Sequence, residues 1–408
     1  MTDEPAVPLT APREGTPEPV ATQAELVRVA QRFAAGTGPV AVDAERASGY
    51  RYTSRAYLVQ LRREGAGTAL VDPLGIDDFS PLASAIADAE WVLHAASQDL
   101  PCLAELNLLP TRLFDTELAA RLCGFERVGL AALTEQLLGL TLEKHHSAAD
   151  WSTRPLPRAW LTYAALDVEL LVALRDLLAD ELERQGKAEW AAEEFAALVA
   201  WGARPPRPRA DPWRRTSGIH RVRGARALAR LRALWYARDA VAARRDSAPG
   251  RVLPDSALVA AAQADPKDER ELVALPGFGG RSVRRLANVW LDALNEARAL
   301  PEDALPVTQP SDGPPPPHRW AERDPVAAAR LARCRAVVTG TAERLTLPPE
   351  NLLSPDTVRR LAWTPPEPLT VESVGAALAG LGARPWQIGL TGADLTEALI
   401  EPETPDAS

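Results

Sequence analysis

PVAVDAERA, residues 39–47, sets two carboxylates, Asp43 and Glu45, two residues apart in a short valine-containing run. On a strand, alternation of side chains brings both acids to one face. A half-buried strand normally gives that face to apolar residues, so two acids there are costly unless they bind metal or meet solvent. Two more acid patches follow. Asp99 comes after the apolar run WVLHAASQ (91–98), and Tyr163 and Asp167 stand four apart in LTYAALDVELL (161–171), on one face of a helix. Each alone reads as a surface acid of an acidic chain. Together, four carboxylates and a phenol beside apolar elements supply what a two-metal phosphodiester-cleaving site needs. Such a site holds two divalent ions roughly 4 Å apart, one making the attacking hydroxide and one holding the leaving oxygen. Carboxylate oxygens are the right ligands for magnesium or manganese.

Around these patches, residues 21–200 alternate strand-like and helix-like runs. AELVRVAQRFA (24–34) reads as a helix before the first strand. AYLVQLRR (56–63) and GTALVDPL (67–74) read as two strands joined by a hairpin turn at Gly65-Ala66-Gly67. DFSPLASAIADA (78–89) predicts a helix, WVLHAAS a strand, and a further helix lies around Asp99. RLFD (112–115) ends a strand, with Asp115 capping the next helix. VGLAALTEQLLGL (128–140) has helical apolar spacing, and residues 157–185 read as one long helix with Pro157 near its start. This mixed order predicts an α/β domain with a mixed sheet.

The rest of the chain divides by composition. Residues 1–20, Pro-rich and polar, read as a disordered tail. Residues 201–216 form a basic linker, and 217–298 form a helical block in which Leu228, Leu231, Leu234 and Trp235 share one face. Asp265, Pro266 and Glu269 read as cap, first-turn proline and acidic first turn of a helix in that block, and RSVRRLANVWLDALNEA (281–297) as its last helix. Residues 299–323 are a stiffer Pro-rich linker, 324–400 a second helical block resembling a diverged copy of the first, and 401–408 a tail.

A chain of 408 residues exceeds one typical core. It holds no apolar run long enough for a membrane span, and its N-terminus lacks the basic-then-apolar order of a signal peptide. Three scattered cysteines suit a reducing cytoplasm and argue against a zinc site. The phosphate-loop pattern G-x-x-x-x-G-K-[ST] is absent, which argues against ATP use. The net charge of −9 conceals an asymmetry. Residues 201–251 carry fourteen arginines against three aspartates, whereas residues 21–200 carry sixteen basic and twenty-six acidic residues. The acidic body repels a polyanion at long range, so the arginine segment is the expected source of affinity. A fragment ending near residue 200 is therefore expected to cleave, but with weakened binding.

The order D-x-E, lone Asp, Y-x-x-x-D resembles the 3′–5′ exonuclease family with a tyrosine in its third motif, and most closely the bacterial ribonuclease D family. Lys144, Asp150, Trp151, Arg154, Pro155, Leu156, Tyr163, Ala164, Ala165, Asp167 and Val168 reproduce that family's K…DW..RPL….YAA.DV pattern. HAASQDL (94–100) resembles its second motif, and LFDTELAARLCG (113–124) its FDT..AA segment. The helical block 217–298, with WYARDAVA, VLPDSAL and LPGFGG, resembles a helicase-and-RNase-D-C-terminal (HRDC) domain, and 324–400 a second one. RASGYRYTSRAYLVQ (46–60) departs from the family by being longer and more polar than expected, which bears on substrate positioning.

The resemblance implies a ribonuclease H-like mixed sheet flanked by helices, followed by two all-α HRDC-type domains. It implies a metal-dependent exoribonuclease that acts on RNA with a free 3′ end, such as tRNA precursors, as a cytoplasmic monomer needing neither ATP nor a membrane. Single-stranded DNA exonuclease activity, or a catalytically silent nucleic-acid-binding scaffold, are the alternatives. Asp43, Glu45, Asp99 and Asp167 would hold two Mg2+ or Mn2+ ions, and Tyr163 would orient the attacking water. Arg154, Arg214, Arg215, Arg221, Arg223 and Arg226 are the candidate nucleic-acid contacts. His145 and His146, being adjacent, point apart, and His94 reads as a hydrogen-bonded core histidine. Gly277, Gly279 and Gly280 either present N–H groups to a phosphate or make a tight interhelical turn.

Overall fold

The computed structural model describes residues 6–142, 146, 148–205, 209–307 and 313–400, so Lys144, His145 and the 401–408 tail lie outside the described residues. The strands are β1 (Val7–Leu9), β2 (Pro19–Val20), β3 (Thr37–Arg46), β4 (Ala56–Glu64), β5 (Gly67–Val71), β6 (Glu90–Leu93), β7 (Arg112–Asp115) and β8 (Leu140–Leu142). One mixed sheet has the order β2-β5-β4-β3-β6-β7, with β3, β4 and β5 antiparallel and β6 and β7 parallel to β3. The expected hairpin turn joins β4 to β5, where Gly65 and Gly67 take φ of 75° and 71°, values that a side chain would strain.

Alternation along β3 decides which side of the sheet is chemical. Val40, Val42 and Ala44 pack with Leu26, Val29 and Phe33 of helix Gln23–Ala35 and with Leu100 and Leu103 of helix Leu100–Glu105. Ala41 faces the other way, onto Val168 and Leu171. Asp43 and Glu45 share the register of Ala41 and so face the helices that follow Pro157. The long helix expected over 157–185 is in fact two, Arg158–Glu169 and Leu171–Arg184. The break at Leu170 lets Leu166 and Leu170 bury against Leu142 while Val168 and Leu171 bury against the sheet.

Three further expectations are corrected. Residues 6–20 are not a disordered tail: β1 pairs in parallel with β8, and β2 with β5. Both partners are distant in sequence, so local composition could not reveal the pairing. The cap of helix Glu269–Val273 is Asp268, whose carboxylate accepts from Glu271 N, whereas Asp265 closes the preceding helix at φ 51°. The helix expected over 281–297 is divided into Arg281–Arg284 and Ala287–Ala299.

The two helical blocks share an order of elements. A long helix (Ala225–Arg245; Pro325–Arg344) precedes a one-turn helix (Pro249–Val252; Pro349–Leu352) and then a medium one (Asp255–Ala264; Pro355–Trp363). Their attachments differ. Residues of the second block, among them Leu331, Leu378 and Leu395, together with Trp320 just before it, lie in one continuous apolar core with Phe114, Leu133, Leu174, Leu178 and Phe195 of the first 200 residues. Trp386 stacks on Trp190 at 5.0 Å, and Lys187 Nζ donates to the carbonyls of Leu122 and Thr346. A fragment ending near residue 200 would leave much of this core open to water, which argues against the expectation that such a fragment stands alone.

Candidate active site

Asp43 and Glu45 reach the site from the end of β3, and Tyr163 and Asp167 from helix Arg158–Glu169 laid across it. Carboxylate oxygens of Asp43, Glu45 and Asp167 lie within 4.8 Å of one another. Asp99, at the head of helix Leu100–Glu105, lines the same cleft, which encloses about 520 Å³. All five residues expected from the sequence therefore meet in one place.

The loop bearing Asp99 is fixed by Asp115. Its carboxylate caps the following helix through Glu117 N (2.9 Å) and Leu118 N (3.2 Å), as expected. It also accepts from Ala95 N (3.1 Å) and Ala96 N (2.9 Å), holding Ala95 in the left-handed region at φ 59°. The Tyr163 ring sits among aromatic neighbours: His146 meets it edge-on at 5.9 Å, and buried Trp151 lies 6.4 Å away. The Tyr163 hydroxyl and the Asp167 carboxylate, one helical turn apart, line the same cleft.

Crowding of acids in a recessed cleft dominates the electrostatics. Burial, then the neighbouring Asp43, Asp167 and Asp99, push Glu45 up to about 10. Asp99 is pushed up to about 8 by burial and by Asp43. Asp43 is raised by burial, and Asp167, by burial and Asp43, well above the usual carboxylate range. Burial and the same carboxylates raise the Tyr163 phenol beyond its ordinary value, so it donates a hydrogen bond and does not act as a base. Mutually repelling carboxylates, all oxygen donors, make a site whose charge a hard divalent cation would relieve.

The sequence did not single out Arg46, which also lines the cleft with its Nη2 3.5 Å from Asp99 Oδ1. Its place immediately after Glu45, at the strand end, was the available signal. His94 is held as expected, Nδ1 2.9 Å from Thr116 Oγ1, and burial depresses its pKa to about 4.

Arg154 is not a phosphate contact. Its guanidinium grips Asp72 through two bonds (Nε–Oδ2 2.6 Å, Nη2–Oδ1 2.9 Å) and donates to the carbonyls of Tyr57, Trp151 and Thr153. These bonds occupy the fork that a phosphate would need. Arg214 and Arg226 are also engaged, Arg214 with Asp211 and the Val307 carbonyl, Arg226 with Glu302 and the Leu300 carbonyl. Arg215, Arg221 and Arg223 are exposed, and their side chains make no hydrogen bond or ion pair among the described residues. Gly277 is a packing glycine: at φ 89°, a Cβ there would lie 2.7 Å from Ala257 Cβ.

The polar stretch after β3 has a structural use. Asp246 Oδ1 accepts from Tyr52 N, Thr53 N and Thr53 Oγ1, each at 3.2 Å, and Tyr52 Oη donates to Asp239 at 3.0 Å. Ala248 N donates to the Tyr50 carbonyl, and the Arg251 guanidinium lies 4.1 Å from the Tyr50 ring centre. The loop thus docks the C-terminal end of the long helix Ala225–Arg245 a few residues beyond Glu45.

Comparison with known proteins agrees with this architecture. Residues 17–183 match the family model described as 3'-5' exonuclease, residues 227–294 the HRDC domain, and residues 313–399 the 3' to 5' exonuclease C-terminal domain. The chain is 33% identical over 366 residues to ribonuclease D of Gluconacetobacter diazotrophicus, covering 86% of this chain and 88% of the relative. Among solved structures it is similar to a protein from Bifidobacterium adolescentis (39% identity, TM-score 0.88, 97% of this chain and 99% of the other). It is also similar to Escherichia coli RNase D, described as an exoribonuclease involved in structured RNA processing (29% identity, TM-score 0.67, 89% and 98%).

Proposed function

Because the chain belongs to the ribonuclease D family of 3′–5′ exoribonucleases, we propose that Asp43, Glu45, Asp99 and Asp167 hold two divalent ions, Mg2+ or Mn2+, for trimming the 3′ ends of tRNA or other structured RNA. The carrying observation is the convergence of Asp43, Glu45 and Asp167 oxygens within 4.8 Å, with Asp99 on the same cleft. The all-carboxylate donor set and its raised proton affinities fit hard cations. When bound, such ions lower the pKa of the attacking water and stabilise the leaving oxygen.

The chain's own residues do the rest. Tyr163, its ring fixed by Trp151 and His146, directs its hydroxyl at the carboxylate cluster and orients the water for in-line attack on the terminal phosphodiester. Glu45 would also meet the terminal 3′-hydroxyl, as the family resemblance suggests. A nucleoside monophosphate leaves, and the next nucleotide takes its place.

Arg221 and Arg223 directly precede the long helix of 21 residues, whose opposite end docks beside the active-site strand. At 1.5 Å per residue that helix spans roughly 30 Å. These arginines therefore meet the body of the RNA and not its terminal nucleotide, which favours a substrate with bulk. Three buried free cysteines suit a cytoplasmic setting, and among the described residues no helix is long and apolar enough to cross a membrane.

Digestion of 3′-labelled RNA and matched DNA, with magnesium, manganese or chelator, tests the reading. Metal-dependent release of nucleoside monophosphates from the RNA is expected. Cleavage undiminished by chelator would reject the metal-held mechanism, and faster hydrolysis of the DNA would reject the RNA assignment.

A further inference from the structure

The cleft's charge balance singles out Arg46. Five carboxylates line it: Asp43, Glu45, Asp99, Glu117 and Asp167. Two basic side chains, Arg46 and His94, stand against them among the described lining residues. His94 is bonded to Thr116 and is neutral at pH 7, since burial depresses its pKa to about 4. Arg46 is therefore the one described lining residue that is cationic at neutral pH.

Its position is constrained from both sides. It is the last residue of β3, directly after Glu45, and a register shift at that point pairs it with Ala56 and skips Tyr57. Its guanidinium is not spent. The 3.5 Å approach of Nη2 to Asp99 Oδ1 is an ion pair without a hydrogen bond, and the side chain remains 28% exposed to the cleft. This differs from Arg154, which has given its donors to Asp72 and to three carbonyls.

The charges suggest what Arg46 does. Two divalent cations would neutralise the four ligand carboxylates, Arg121 already pairs with Glu117, and the incoming phosphodiester would then add one uncompensated negative charge. A partly exposed guanidinium at the cleft wall, with free donors, can meet that charge through charge-assisted hydrogen bonds.

We propose that Arg46 is a substrate-contacting residue of the cleft, pairing with Asp99 before substrate arrives and with a phosphate at the RNA 3′ end once it is bound. This rests on the exoribonuclease reading, and the two can fail separately. Hydrolysis of RNA by the unaltered protein tests the reading, whereas Arg46 is tested by binding without hydrolysis.

The experiment uses the full chain with Ca2+ in place of Mg2+, and short oligoribonucleotides carrying a neutral methylphosphonate at the terminal or the penultimate linkage, or at neither. Arg46→Gln and Arg46→Lys are compared with the unaltered protein. For the all-phosphodiester strand, Arg46→Gln should weaken binding about ten-fold, the scale of a lost charge-assisted contact, and Arg46→Lys should restore part of it. Against the strand whose contacted linkage is neutral, Arg46→Gln should bind as well as the unaltered protein, so that the two losses do not add. Manganese affinity, measured without RNA, should not fall in Arg46→Gln, since removing a cation cannot weaken cation binding electrostatically. Equal weakening of all three strands, or unchanged RNA affinity in Arg46→Gln, would overturn the assignment and leave Arg46 as a partner of Asp99 alone.

Discussion

Glu45→Gln separates the cost of the acid cluster from its use. The substitution keeps the shape of the side chain and removes its charge. Burial and neighbouring acids push Glu45 from 4.5 up to about 10, so at pH 7 the metal-free folded protein retains a proton that the unfolded chain has released. Across the roughly 2.5 pH units between 4.5 and 7, at about 1.4 kcal/mol each, that retention costs about 3 kcal/mol of stability. The folded state binds more protons than the unfolded one throughout this window. The cost is therefore absent below pH 4.5, grows as pH rises, and levels off near pH 10.

In chelator at pH 7, Glu45→Gln should melt higher than the unaltered protein, by roughly 5–10 °C for a cooperative unit of a few hundred residues. At pH 5 most of the gain should vanish. With Mn2+ present the order should reverse, because the unaltered protein is stabilised by an ion that the variant holds poorly. Turnover of RNA should be lost in the variant at every pH. Thermal melts at pH 5, 7 and 8.5, each with chelator and with Mn2+, provide the check. A variant that melts at or below the unaltered protein in chelator, or whose gain does not change with pH, would refute the claim that this carboxylate is held against its own solvation.

Tyr163→Phe should lower turnover on the order of 10²-fold while leaving Mn2+ affinity and RNA binding in Ca2+ unchanged, as single-turnover kinetics and titration would show. Arg154→Ala should leave RNA affinity intact but destabilise the fold by about 2–3 kcal/mol, because the largely buried Asp72 carboxylate loses its partner; denaturant titration and RNA binding measure the two halves. A fragment ending at residue 200 should be poorly soluble, since Leu174, Leu178 and Phe195 lose the neighbours they share with Trp320 and Leu395; a soluble, monodisperse fragment on size exclusion would contradict the shared core.

The acid cluster was legible because each part of it is local. Asp43 and Glu45 are related by strand alternation, Tyr163 and Asp167 by one helical turn, and Asp99 and Asp115 by their places next to apolar runs. What escaped was whatever depends on distant segments. The Pro-rich start looked disordered until Leu140–Leu142 and Leu70–Val71 supplied partners for its backbone. Arg154 looked like a free cation beside the third motif, yet Asp72, 82 residues away, had claimed it. The polar run 46–60 looked like a departure at the substrate rim, whereas Asp239 and Asp246 explain its hydroxyls and exposed N–H groups as a docking strap.

That strap changes how the arginine-rich segment should be understood. Counted along the chain, fourteen arginines after an acidic body look like one undivided source of attraction. In three dimensions, Arg238 is spent on Asp255 and the Leu253 carbonyl, Arg251 on Gly49 and Tyr50, and Arg230 on Asp265 and the Ala262 carbonyl. Each pairing inside the protein removes a cation from the counterion release that drives polyanion binding. Near the start of the long helix Arg221 and Arg223 remain exposed and unpaired, held at a fixed distance by a helix whose far end, where Arg244 and Arg245 are also exposed, is docked on the loop after the active-site strand. A rigid spacer between a small cationic patch and an acidic cleft rewards a substrate that spans both. By the same geometry, an oligonucleotide too short to reach the patch should bind with a salt dependence set by the cleft alone.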